Sequence, residues 1–298
     1  MAYTLTETDL LQINNLELLS KQVVEGFLTG LHKSPYHGFS VEFAEHRLYN
    51  SGESTRNIDW KLFARTDKLF VKRYEEETNM RCQIVIDTSS SMYYPLNGLN
   101  KLRFSVIAAA SLIRLMKGQR DASGLTLFNE DIWFHAPAKL NNTHQRMLFA
   151  KLESCLNQMQ ERKASNISVT LHKLAETLHK RSFIILFSDM LSNNNEQLFE
   201  AMQHLKYNKH EVILFDVHDK NIELDFNLPN RPYTFQDSET GEELKLHPNA
   251  IKTMYLEQLS QWQNKLRVKC LQNKIDYFEI AIENNFDQIL NPFIMKRK

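Results

Sequence analysis

The chain has 298 residues, 42% of them hydrophobic, and its 36 basic side chains balance 36 acidic ones. That apolar content is ample for one large packed domain or two modest ones, and the charge balance gives no ground for a nucleic-acid or acidic-membrane partner. No apolar run approaches the roughly 20 residues of a membrane-spanning helix, and the first residues lack the layout of a signal peptide. Cys82, Cys155 and Cys270 are odd in number and widely spaced, as reduced core thiols are, so a cytoplasmic location without membrane insertion is expected.

Leu11, Leu16, Leu18, Leu19, Val23, Phe27 and Leu31 recur at helical spacing and predict one amphipathic helix over 8–31. From His37 to Glu77 aromatic and charged residues crowd together with little helical period. Leu69–Tyr74 predicts a strand there, the rest reads as loop with some β structure, and Glu75-Glu76-Glu77 reads as a solvated face. Arg47, Tyr49, Arg56, Asp59, Trp60 and Arg65 have the composition of an interface, with simple packing against a sheet as the equal alternative.

From Cys82 onward short apolar runs alternate with helical stretches. The runs Gln83–Ile86, Gly124–Phe128, Ile132–His135, Phe183–Phe187, Val212–Val217 and Tyr277–Ile280 predict strands, and Lys101–Lys117, Thr143–Met159, Val169–His179, Glu196–Lys206 and Asn249–Asn273 predict helices. Strands apolar on both faces, alternating with helices, predict an α/β fold with a mostly parallel sheet. Asn129-Glu130 is too short for a crossover, so the strands on either side of it are expected to form an antiparallel hairpin. The helix at 101–117 is apolar around nearly its whole circumference and is expected to be buried. Residues 223–247 interrupt the alternation, and Glu239-Thr240-Gly241-Glu242 reads as a turn between two short strands. The expected division is 1–79 as an N-terminal helix with an aromatic and charged extension, and 80–298 as the main domain with an insertion near 220–248.

Ligand sites of open α/β sheets lie outside the carboxyl ends of the strands, where strand order reverses. Two apolar runs deliver oxygen ligands to such an edge: one empties into Asp87-Thr88-Ser89-Ser90-Ser91, the other into Ser188-Asp189. If their strands flank the reversal point, Asp87 and Asp189 approach one another and share either a proton or a cation. Ser89 and Ser91 can face the same side as Asp87 in an extended loop, which favours a hard cation. The competing reading has the serines capping the next helix and Asp87 bonding a backbone amide. Both carboxylates are expected at a solvent-facing sheet edge, where their removal would disturb the fold little. The histidines are scattered, and the chain has neither a P-loop nor a Gly-rich dinucleotide fingerprint.

Asp87-x-Ser89-x-Ser91, with Asp189, resembles the metal-ion-dependent adhesion site of von Willebrand factor A domains, which adds a Thr from a second loop. Ser165 of Ala164-Ser165-Asn166-Ile167-Ser168 stands at that Thr position, Asn166 replaces an expected Asp, and Ser168 is a rival ligand. A narrower resemblance covers almost the whole chain, to the bacterial family called domain of unknown function 58. It rests on Glu42-Phe43, Arg47-x-Tyr49-x-x-Gly52-Glu53, Arg56-x-Ile58-Asp59-Trp60, Ala64-Arg65, Arg73-Tyr74-Glu75-Glu76-Glu77, Asp87–Met92, Gly124-Leu125-x-Leu127-Phe128, Ser188-Asp189, His210-Glu211-Val212 and Glu239-Thr240-Gly241.

These resemblances imply a von Willebrand factor A-like, doubly wound sheet and a non-catalytic, metal-dependent protein-binding module. A divalent cation, Mg²⁺ with Mn²⁺ or Ca²⁺ as alternatives, would sit on Asp87, Ser89, Ser91, Ser165 and Asp189, and a partner's Asp or Glu would complete its coordination. The family further implies an adaptor or chaperone-like partnership with a MoxR-type AAA+ ATPase. One alternative is a Mg²⁺-dependent phosphoryl-transfer enzyme with Asp87 as nucleophile, although Ser89 occupies the place where such enzymes need a second acid. The other is a scaffold whose metal site is empty.

Overall fold

The apolar runs pair into one six-stranded sheet, in the order β10 (Ile275–Ala281), β7 (Glu211–His218), β6 (Phe183–Ser188), β3 (Arg81–Asp87), β4 (Ala122–Phe128) and β5 (Ile132–Lys139). The computed structural model describes residues 10, 15–31, 46–48, 60–72, 80–157, 164–191 and 195–296. Strands β3, β4, β6 and β7 are buried almost end to end, as strands with apolar residues on both faces must be. β10 and β5 form the two edges and are only partly buried. Every neighbouring pair is parallel except β4–β5, the expected antiparallel hairpin.

The sheet has the expected α/β architecture because β-period and helix-period segments alternate. Helix α3 (Lys101–Gly118) is buried on nearly all sides and packs on β3 and β4. Asn100 caps its start by accepting from Arg103 N at 2.7 Å, and the chain turns out of it through Arg120 in the left-handed region at φ 59°. On another face of the sheet, α5 (Ile167–Thr177), α6 (Asn195–Tyr207) and the second half of α7 (Pro248–Gln272) enclose Val85, Ile184, Leu186, Val212 and Leu214. Helix α4 (Asn142–Leu156) follows β5, and a C-terminal helix, α8 (Asp287–Lys296), adds Phe293 against Phe183. The sequence reading missed α8 because Pro292 interrupts its pattern. Between β7 and α7 lie a π-helical turn, Lys220–Leu224, and the hairpin β8 (Tyr233–Gln236) and β9 (Glu243–Leu246).

The chain divides into two units, 1–30 with 80–298, and 31–79. Helix α1 (Leu16–Leu31) therefore goes with the sheet, whereas the sequence reading grouped it with the extension. The reason is its apolar face: Leu16, Leu19, Val23, Val24 and Phe27 are buried, each worth about 1.5–3 kcal/mol. Leu16 N also donates to Glu153 Oε1 of α4 at 3.1 Å.

In the second unit, β1 (His46–Leu48) pairs antiparallel with β2 (Phe70–Lys72), the strand expected within Leu69–Tyr74, and a short helix, α2 (Trp60–Thr66), lies between them in sequence. Tyr49, Arg56, Asp59 and the Glu75–Glu77 run fall outside the described residues. Among the described residues no helix is long and apolar enough to cross a membrane.

Candidate metal centre at the strand reversal point

β3 lies between β4 and β6 in the sheet. The chain leaves β3 toward β4 on one side and leaves β6 toward β7 on the other, so the reversal point falls between β3 and β6, where a ligand crevice is expected. Asp87 ends β3, and Ser188 ends β6 beside it, donating its hydroxyl to Asp87 Oδ2 at 2.9 Å.

The loop after β3 is held so that alternate residues face the crevice. Thr88 turns away: its N–H and its hydroxyl both donate to Phe128 O at 2.7 Å, and its Oγ1 accepts from Trp133 Nε1 at 2.9 Å. With Thr88 pinned to the β4–β5 hairpin, Asp87 and Ser89 take the other side. Ser89 N donates to Asp87 Oδ1 at 2.9 Å, and the Ser89 and Ser91 hydroxyl oxygens stand 3.1 Å apart. The serines also begin a short 3-10 turn, Ser90–Tyr93, but Ser89 makes no side-chain cap on it. The capping reading of these serines therefore does not account for Ser89.

The second loop arrives from α5. Asn166 N donates to Asn129 O at 2.8 Å, which ties this loop to the β4–β5 turn, and Asn166 Oδ1 accepts from Val169 N at 3.4 Å as the cap of α5. Asn therefore has a structural duty at the position where Asp was expected. Ser165 donates its hydroxyl to Asp87 Oδ2 at 2.7 Å. Ser168, the rival, lies in the first turn of α5 and is buried.

Two features depart from the sequence reading. Asp87 and Asp189 are 0% and 1% exposed, so the expected solvent-facing edge is wrong: the loops carrying Ser89 and Ser165, and a lysine, close over them. That lysine is Lys101, the first residue of α3 and fully buried. Its Nζ lies 2.9 Å from Asp189 Oδ2 and 2.6 Å from Glu223 Oε1. Glu223 Oε2 accepts from Asp219 N at 2.8 Å. His218 stands next, with Nδ1 3.7 Å from Glu223 Oε2 and Nε2 2.9 Å from Asp216 Oδ1. The His218–Asp216 approach is a charge contact, because neither atom makes an aligned hydrogen bond. Tyr277 donates its hydroxyl to Asp216 Oδ2 at 2.6 Å.

Lys101 was legible in one respect. A cation opening an otherwise apolar helix opposes the helix dipole and calls for a buried anion.

Burial, and then the charge of Asp189, push the Asp87 carboxyl up to about 6, against the pull of its hydrogen bonds from Ser89 and Ser165. Burial pulls Lys101 down, but Asp189 and Glu223 outweigh it and hold the ammonium above its ordinary value. Burial likewise opposes ionisation of Glu223, yet His218 and Lys101 bring it down to about 2. His218 is raised to about 10 because Asp216 and Glu223 outweigh its burial.

Glu239, on the turn between β8 and β9, is another residue the sequence reading did not assign to the site. Its Oε2 accepts from Ser165 N at 3.4 Å, and burial followed by the charges of Asp189 and Asp87 raises it to about 7.

The donor set fits a hard divalent cation. Mg²⁺ bonds of 2.0–2.1 Å place adjacent ligands about 3 Å apart, close to the Ser89–Ser91 separation. Among the described residues no three His, Cys, Asp or Glu side chains converge to hold an ion by themselves. Ser89, Ser91 and Ser165 with Asp87 would therefore supply the direct ligands, and Asp189 stands behind them, its charge shared with Lys101.

The family described as "Protein of unknown function DUF58" matches residues 45–265. An uncharacterized protein of Mycobacterium tuberculosis is 27% identical over 232 residues, 77% of this chain and 70% of its own. BatB from Bacteroides thetaiotaomicron matches as a structure with a TM-score of 0.43 and 12% identity, over 72% of this chain and 97% of its own. The VWA domain of SpRpn10 matches with a TM-score of 0.38 and 10% identity, over 71% and 93%.

Proposed function

The chain belongs to the DUF58 family, and on that premise we propose that it is a non-catalytic binding module whose metal ion docks a carboxylate from a protein partner. The observation that carries this reading is the 3.1 Å approach of the Ser89 and Ser91 hydroxyls on the side of the loop that Asp87 occupies, with Ser165 meeting Asp87 from a second loop. A bound Mg²⁺ would supply Lewis acidity there. The protein's part is to hold neutral hydroxyls and few direct carboxylates around it, so that net positive charge remains to attract an anionic side chain.

The phosphoryl-transfer alternative lacks one of its required groups. Such an enzyme needs a second acid two residues after the nucleophile to protonate the leaving group, and Ser89 occupies that place. The partner best suited to this family is an AAA+ ATPase of the MoxR type, with this chain as its adaptor.

The test is co-purification with such an ATPase in Mg²⁺ and in EDTA. Capture in Mg²⁺ that is lost in EDTA and lost with Asp87→Asn supports the reading, and equal capture in all three overturns it. Hydrolysis of a phosphate ester that disappears in Asp87→Asn would establish the enzyme instead.

A further inference from the structure

The hairpin β8–β9 pairs with no strand of the six-stranded sheet, and its turn is built to aim one side chain. Asp237 Oδ1 accepts from Glu239 N and Thr240 N, each at 2.8 Å, and Asp237 N donates to Glu242 O at 2.9 Å. Gly241 N closes the loop onto Asp237 O at 2.9 Å, at φ 79°, where glycine is favoured. Asp237, Ser238 and Thr240 are exposed, whereas Glu239 is half-buried and turned toward Ser165. The turn is thus rigid, polar and outward everywhere except at its one inward carboxylate.

That carboxylate faces the second ligand loop. It meets the Ser165 backbone amide over 3.4 Å, a weak contact, and it lies within the field of Asp87 and Asp189. The charges of Asp189 and Asp87 oppose its own, and the buried ammonium of Lys101 is divided between Asp189 and Glu223. A half-buried carboxylate beside the open, half-buried side of the site, where Ser91 and Ser165 lie, has both the chemistry and the place assigned above to the partner.

We propose that Glu239 is the chain's own occupant of the carboxylate position, a displaceable plug that an acidic segment of a partner must push aside to reach the ion. The proposal rests on the metal reading. It makes docking competitive: the β8–β9 hairpin holds the ion's vacant position closed against free carboxylates, and only a partner that also engages the surroundings displaces it.

The test uses the full chain loaded with Mn²⁺ and titrated with N-acetylglutamate, by calorimetry and by the water-proton relaxation of the bound ion. Glu239→Gln keeps the shape and can still accept from Ser165 N, while the turn is framed by Asp237, so the fold is retained. The expected result is that wild type binds Mn²⁺ but takes up N-acetylglutamate on the order of tenfold or more weakly than Glu239→Gln, whose bound Mn²⁺ also relaxes water more strongly. Equal N-acetylglutamate binding and equal relaxation in the two proteins, both loaded with Mn²⁺, overturn the plug and leave the metal reading standing. If wild type and Glu239→Gln both fail to take up Mn²⁺, the metal reading fails, and the plug fails with it.

Discussion

Lys101 Nζ lies 2.9 Å from Asp189 Oδ2, and both side chains are shut away from water. A buried ion pair adds little net stability by existing, but breaking one strands the surviving charge. Here it also decides how much negative charge the strand end offers to a metal.

Lys101→Met is therefore expected to destabilise the protein by about 3–5 kcal/mol, because Asp189 and Glu223 lose their common cation. Urea denaturation measures it, and a loss below about 1 kcal/mol would contradict the description. In the folded fraction, Mn²⁺ should bind more tightly than in wild type, since the charge of Asp189 is no longer shared.

His218 sets a pH dependence. Its folded value, about 10, is raised above the ordinary 6.5, so its stabilising contribution is fully present below 6.5 and is lost as pH rises through 10. Glu223 is lowered from 4.5 to about 2, so its contribution is present above 4.5 and lost as pH falls through 2. The network is at full strength between about 4.5 and 6.5. Between pH 6.5 and 10 wild type should lose on the order of 2–4 kcal/mol more than His218→Gln does. Parallel stability curves for the two proteins would refute this.

Ser165 distinguishes hydroxyl chemistry from bulk. Ser165→Ala removes the 2.7 Å bond to Asp87 and should weaken Mn²⁺ binding about tenfold, whereas Ser165→Thr keeps the oxygen and should stay near wild type. Calorimetry with both variants checks this. Equal binding by Ser165→Ala would remove the residue from the site.

Gly124 tests the edge of the sheet. A Cβ there would meet Gln83 Oε1 at 2.2 Å and the backbone of the β5 strand, Ala136 O and Ala138 N, at 2.7 Å. Gln83 also donates to Ala136 O at 3.2 Å and to Thr126 Oγ1 at 2.9 Å, so the clash is not relieved by moving one flexible side chain. Gly124→Ala should cost about 1–3 kcal/mol, measurable by thermal or urea unfolding.

The sheet was legible because both-face-apolar runs and helical stretches alternate without ambiguity from Cys82 onward, and the three residues Asn129–Asp131 between β4 and β5 force the hairpin. Asp87, Ser89, Ser91 and Asp189 could be read because they follow directly on strand ends. Lys101, Glu223 and Glu239 could not be placed that way. Their meeting with Asp189 and Ser165 depends on where α3, the π-helical turn and the β8–β9 hairpin fold back over the sheet, and those contacts span 74 to 122 residues of sequence. The buried state of Asp87 and Asp189 was misjudged for the same reason, since the covering groups come from distant segments.

Calorimetric titration of Mg²⁺ and Mn²⁺ into wild type and Asp87→Asn decides whether the strand end binds a divalent ion. Asn is preferred to Ala because Asp87 accepts hydrogen bonds from Ser89 N, Ser165 and Ser188 in a buried place, so Ala would leave them unpaired. One ion should bind per wild-type chain, with at least roughly a hundredfold weaker binding by a folded Asp87→Asn protein. Equal affinity in the two proteins, or a folded wild type that takes up neither ion, would rule out a metal site at Asp87.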